Sequence, residues 1–372
     1  MRFITSFCLL LLSCLCSFGQ HYFLFVGTYT SGKSEGIYVY EFNAATGKTK
    51  PVSSISSKNP SYLVNSPDGK YLYAVNENGA TQMGGVSAFA FDKSNGTLRS
   101  LNQQSSGGAD PCYITENKTG RWVFVANYSS GSLSALPVQK DGRLDTLTQL
   151  IQHIGSGTIP DRQEKAHVHS TVFSPDQHYL FAADLGMDRE SIYHFDPAKP
   201  QPLTAAADSF VSVPPGSGPR HFVFHPKKPY AYLIEELSGT VEVFHYNQGR
   251  LKSIQHISSH PADFTGQKGS ADIHISIDGK FLYASNRGDA NTIAIFSIDS
   301  TSGRLKIRGF QPILGKTPRN FMIDPTGQYL LVANQNSDNI VVFRINPATG
   351  LLKPTGEEIQ VPNPVCLKML KK

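Results

Sequence analysis

Short apolar runs, many alternating with polar residues, recur along the whole chain between clusters of Gly, Pro, Asn, Asp and Ser. The two-residue period predicts strands, and the clusters predict tight turns. One unit repeats. Its clearest copy is Asn59-Pro60-Ser61-Tyr62-Leu63, then Ser66-Pro67-Asp68-Gly69-Lys70, then Tyr71-Leu72-Tyr73-Ala74-Val75-Asn76. With Pro60 as anchor, equivalent anchors fall at Pro111, Val168, Pro219, Ser270, Pro318 and Pro364, spaced by 51, 57, 51, 51, 48 and 46 residues. The residue 16 past each of the first six anchors is Asn76, Asn127, Asp184, Glu235, Asn286 or Asn334, a polar side chain closing an apolar run.

Each unit predicts four strands. The anchor opens the first, and a Pro-Asp-Gly type turn leads to a β-branched and aromatic second run. A third alternating run follows, such as Thr240-Val241-Glu242-Val243-Phe244. The fourth begins at a hairpin signal: Asn95-Gly96, Asp141-Gly142, Ser302-Gly303 or Thr349-Gly350. Four antiparallel strands, repeated, predict an all-β, seven-bladed β-propeller. The chain starts with second-strand-like and third-strand-like runs (Tyr22–Val26, Gly36–Phe42) and ends with a first strand (Pro364–Leu370). One blade is therefore expected to be closed by strands from both ends, leaving no free sheet edge.

Residues 1–19 read as a leader, with Arg2 before an apolar run and Ser17-Phe18-Gly19 as a cleavage site. The run is too short to span a bilayer as a helix. The expected organisation is a signal peptide, 1–19, and one propeller domain, 20–372. The product would be a secreted, periplasmic protein. Leu11-Leu12-Ser13-Cys14 offers a second route, lipoprotein anchoring through Cys14. Past the leader only Cys112 and Cys366 remain, on apolar strands of different repeats, and are expected as buried free thiols. A net charge of +5 with 17% charged residues and no run of like charge excludes a nucleic-acid footprint. A monomer without a membrane span is expected.

In a propeller the first strands line a central channel, so repeat positions become rings. The position one past the anchor reads Ser61, Cys112, His169, Arg220, Ala271, Arg319, Val365. The position 17 past reads Glu77, Tyr128, Leu185, Glu236, Arg287, Gln335. His169, Arg220, Glu236, Arg287 and Arg319 should therefore converge on one sector of a channel mouth. Guanidinium forks suit a carboxylate or phosphate and a developing oxyanion. A histidine or glutamate beside them can take a proton from water. No G-x-S-x-G segment supports a serine hydrolase. A blander arrangement uses Arg220 and Arg319 only as bridges to Glu236, Asp184 or Asp272. His167 and His169 form an H-x-H pair that could bind a metal, but no third and fourth ligands stand near, so no metal and no cofactor are expected.

Several stretches carry a resemblance as a set: Ala166-His167-Val168-His169-Ser170, Gly218-Pro219-Arg220-His221-Phe222, Glu235-Glu236-Leu237, Asn286-Arg287-Gly288 and Thr317-Pro318-Arg319-Asn320-Phe321. Over essentially the whole chain past the leader, the sequence resembles the lactonase family of seven-bladed propellers. That family includes 6-phosphogluconolactonases of the cycloisomerase type and carboxymuconate-lactonizing enzymes. The resemblance implies metal-independent lactone hydrolysis or lactonization, with His169 (or His167), Glu236, Arg220 and Arg287 as catalytic residues. His167, Arg319, Asn320 and Gln335 are expected to bind substrate, a small anionic lactone or sugar acid. A carboxymuconate-type lactonizing enzyme and a non-catalytic propeller that binds a partner or glycan remain the alternatives. Open arginines at a wet mouth would favour an enzyme; arginines consumed in bridges between blades would favour binding.

Overall fold

The computed structural model describes residues 20–372. The leader, with Cys8, Cys14 and Cys16, lies outside the described residues. The described chain forms seven four-stranded antiparallel sheets. Their first strands are Leu63–Asn65 in blade 1, Pro111–Glu116 in blade 2, Val168–Phe173 in blade 3 and Pro219–Phe224 in blade 4. Ser270–Ile275, Pro318–Ile323 and Pro364–Lys371 open blades 5, 6 and 7. These strands lie against one another in a closed ring, blade 7 meeting blade 1. In blade 7 the C-terminal strand pairs with His21–Thr28, Tyr22 opposite Lys371 and Val26 opposite Leu367. The expected closure by both chain ends is what forms.

The apolar alternation of each strand buries two faces, because each sheet is stacked between two others. The core is accordingly a series of layers between blades. One layer joins Phe124 and Leu133 of blade 2 to Leu180 and Tyr193 of blade 3; another joins Tyr232 and Val243 of blade 4 to Leu282 and Phe296 of blade 5. Each such side chain contributes about 1.5–3 kcal/mol by burial. The polar row 16 past the anchors ties strand ends to the incoming chain: Asn76 donates to the Lys58 carbonyl at 2.7 Å and Asn286 to that of Ser259 at 2.6 Å.

One hairpin differs from expectation. Asp141-Gly142 closes only an isolated bridge, Val138 to Leu144, and the fourth strand of blade 2 begins later, at Gln149. Pro137 ends the third strand, and a proline has no N–H to continue the ladder.

The feature that positions the site is a bulge repeated at the start of the first strands. In blade 3, Val168 and Ser170 pair with consecutive residues of the next strand, so His169 is the extra residue. Arg220, Arg319 and Cys112 are extra in the same way in blades 4, 6 and 2. A bulge re-aims the side chain it carries. The residue before the anchor is often left-handed as well: Asn59, Asp110, Gly218, Thr317 and Asn363 have φ of 40, 49, 68, 62 and 45°. Thr317 is β-branched, and a positive φ there is strained.

Candidate active site

Two groups of side chains meet where the bulges lie. The first is built on Glu236 of blade 4. Its Oε2 accepts from Arg220 Nε at 2.8 Å and lies 2.6 Å from Arg287 Nη2. Its Oε1 accepts from Arg162 Nη2 at 2.6 Å. Burial raises the carboxyl's pKa, but Arg287 and Arg220, then His169 and Arg162, overcome it and hold the group well below the carboxylate range. Arg220 is fully buried; its Nη1 also donates to the Ala271 carbonyl at 2.5 Å and meets His221 Nε2 at 3.2 Å. Desolvation, with Arg287 and Arg319 nearby, pushes it down to about 10. Arg287 Nε donates to the Gly269 carbonyl at 2.9 Å.

The second group is centred on Glu77 of blade 1. Its carboxylate accepts from Tyr29 at 3.1 Å and from Ser61, and Arg319 Nη2 approaches to 4.0 Å. Desolvation outweighs these partners and raises the Glu77 pKa. Arg319 otherwise lies over the Tyr29 ring, 5.3 Å from its centroid. The two groups together hold the guanidiniums of Arg162, Arg220, Arg287 and Arg319 and the carboxylates of Glu77 and Glu236.

His169 sits between the groups. Its ring meets Tyr128 and His221 edge-on at 5.4 Å each, and Nδ1 is 3.7 Å from Cys112 Sγ. Burial first, then Arg220 and His221, drive its pKa well below the ordinary imidazole value. It is neutral at pH 7. His167 points elsewhere. It stacks on Tyr128 at 4.5 Å, its Nδ1 meets the Tyr128 carbonyl at 3.0 Å and its Nε2 the Glu164 carboxylate at 3.2 Å. One histidine thus stacks on Tyr128 and the other meets it edge-on, so the two rings do not stand as a pair. Among the described residues, the side chains whose donor atoms could share an ion are Glu235, Glu242 and His256, within 4.8 Å of one another on the blade 4 sheet.

The row arithmetic thus gathers His169, Arg220, Glu236, Arg287 and Arg319. It does not bring Asn320 along. That side chain is buried one residue further down the strand; it donates to Asp272 and accepts from Leu367 N at 2.7 Å. Gln335 enters a short 3₁₀ turn, Gln335–Ser337, at the outer edge of the mouth, where its own N–H bonds the Thr317 carbonyl. Arg162 was not foreseen, because it lies in the connection between blades 2 and 3, outside the repeat. The signal was the 57-residue spacing of that unit. The connection packs closely at Gly186, where a Cβ would fall 1.8 Å from the Lys165 carbonyl oxygen. Of the two arginines that the blander arrangement made bridges, Arg220 does bond Glu236, whereas Arg319 reaches only Glu77, at 4.0 Å; Arg162 and Arg287 pair with Glu236 at 2.6 Å each.

A family model described as "Lactonase, 7-bladed beta-propeller" matches residues 23–369. A curated protein of Formosa agariphila named 6-phosphogluconolactonase is 42% identical over 349 residues, covering 93% of this chain and 99% of that one. The Bacillus subtilis protein of the same name is 38% identical over 352 residues, covering 94% and 98%. Among solved structures, a periplasmic gluconolactonase of Pseudomonas aeruginosa superposes with a TM-score of 0.90 at 42% identity, covering 94% of this chain and 99% of that chain.

Proposed function

The chain belongs to the seven-bladed β-propeller lactonase family, and on that premise we propose that it hydrolyses the ring ester of a sugar-acid lactone of the 6-phosphogluconolactone or gluconolactone type at the arginine-lined mouth. The observation that carries this is the cluster itself: four guanidiniums, two carboxylates and a neutral imidazole drawn from several blades and from the connection between blades 2 and 3. The guanidinium forks suit an anionic lactone.

The proposed roles follow from the surroundings of each group. Glu236, held by three arginines, is a weak base; it fixes the guanidiniums, and Arg220, being buried, positions it. Arg319 and Arg287 face the substrate and donate to the carbonyl oxygen as it becomes an oxyanion, worth about 2.7–4 kcal/mol per donor. His169 takes the proton from the attacking water through the ring nitrogen that Cys112 leaves free. Water adds to the carbonyl carbon, the C–O ring bond breaks, and the ring oxygen leaves as a hydroxyl with that proton. Arg162, at the outer rim, meets a phosphate or a distal carboxylate. The reading includes export to the periplasm as a monomer, supported by the leader-like segment and by the periplasmic relative.

The test is turnover of gluconolactone, its 6-phosphate and simple lactones by purified protein. Wild-type rates no higher than those of the Arg220→Ala, Glu236→Ala double variant would overturn hydrolysis at this mouth. Arg162→Ala should raise KM for the 6-phosphate more than for gluconolactone.

A further inference from the structure

We propose that the opposite end of the channel is a second, separate ligand site, for a small aromatic carboxylate. There the first strands enclose a cavity of about 260 Å³ whose walls include Tyr62, Tyr113, Phe173, Phe224, His274 and Lys368. Pro175, in the turn after the first strand of blade 3, is also at its edge, which puts the cavity at the end of that strand remote from His169.

The cavity is closed off from the arginine mouth. Tyr62 and Tyr113 stack at 4.1 Å, and His221 abuts both edge-on at 5.8 and 5.2 Å. Asp272 braces this floor and has no unmet demand: it accepts from His221 Nδ1 at 2.7 Å, His274 Nε2 at 3.1 Å, Asn320, Ile273 N at 3.0 Å and Phe321 N at 3.2 Å. With Asp272 and its two histidines mutually engaged, the uncommitted charge is Lys368. Its ammonium lies 4.5 Å from the Tyr62 ring centroid and 3.5 Å from the Tyr62 hydroxyl, and no ion pair of the described residues includes it.

An ammonium in no ion pair, set in walls that are aromatic and aliphatic apart from His221, His274 and an Asp272 already spent on five donors, selects an anion carried on a flat apolar body. A polyhydroxylated sugar acid would find few partners for its hydroxyls along Val172, Val223 and Ile273. The volume is at the small end for ligand pockets, which limits the occupant to roughly one ring and its carboxylate. The floor also touches the catalytic side, since His221 donates to Asp272 through Nδ1 and so presents Nε2 as acceptor to Arg220. An occupant here therefore packs against a residue that holds Arg220, without entering the arginine mouth.

The test is calorimetry on the whole protein with benzoate, benzyl alcohol and gluconate as probes. Saturable benzoate binding is expected, weakened about 10-fold or more for benzyl alcohol and in Lys368→Met, retained in Lys368→Arg, and undisturbed by Arg319→Ala or by gluconate. Absence of saturable benzoate binding to the wild type up to ~10 mM would overturn the proposal. Equal binding by a folded Lys368→Met protein, or competition by gluconate, would do the same. If Lys368→Met fails to fold, Tyr113→Leu stands in its place and should weaken benzoate equally. These outcomes do not depend on lactone turnover.

Discussion

The two ends of the first strands have opposite chemistry. At one end the bulged residues His169, Arg220 and Arg319 are thrust among glutamates and further arginines. At the other, residues one step further along the same strands (Tyr62, Tyr113, His221, Asp272, Asn320) form a dense plug whose one carboxylate meets five donors. The difference teaches that the bulge divides labour within a strand: one extra residue serves the mouth, and its neighbour serves the scaffold. Glu235 and Glu236 repeat the lesson. Consecutive in sequence, the first bonds Ser238 and Thr240 within its own blade, and the second organises arginines from three chain segments.

The largest expected effect breaks the plug. Asp272→Ala leaves buried donors unpaired and should cost about 3–5 kcal/mol in denaturant unfolding; a loss under ~1 kcal/mol would show that the carboxylate does not hold the floor. Next, Arg319→Ala should lower kcat/KM roughly 10²–10³-fold with little change in unfolding midpoint, because it strikes the mouth and spares the plug.

A smaller effect comes from pH. Burial holds His169 well below the usual imidazole range and takes His221 down to about 4. Both are neutral in the folded protein where the unfolded chain would bind protons, below about pH 6.5. Stability should therefore be full above that pH and fall as pH drops toward about 4, by up to roughly 1.4 kcal/mol per pH unit for each group. His169→Asn should remove one group's share of the slope, measured by unfolding at a series of pH values; an unchanged slope would mean that His169 is protonated in the folded state. The smallest effect concerns the thiols, one at each end. Cys112 is raised by burial beside Glu77, and Cys366 is raised by burial to about 11. At pH 8 native Cys366 should alkylate at least about 100-fold more slowly than a free thiol, with Cys112 no faster, followed by mass spectrometry.

Much of this was legible before any coordinates. The anchors and the residues 16 and 17 past them were a matter of counting. A regular repeat puts equal positions at equal heights, so His169, Arg220, Glu236, Arg287 and Arg319 had to share one end. Arg162 escaped because nothing in the repeat refers to it; a connection's path depends on close approaches such as that at Gly186. Asn320 was assigned to the mouth on its motif, but it follows the bulge and its amide belongs to Asp272.

By itself, then, the sequence determined the seven blades, the blade closed by both chain ends, and which residues stand at one rim, since strand period and repeat length are local properties that every copy restates. The tertiary structure alone decided how each arginine is paired, that Glu236 is an organiser with its acidity enhanced, that His169 is neutral, and that Tyr62, Tyr113 and His221 pack together. Those depend on distances of a few ångströms between segments far apart in the chain, 74 residues for Arg162 and Glu236 and 306 for Lys368 and Tyr62, and on how much water each group loses.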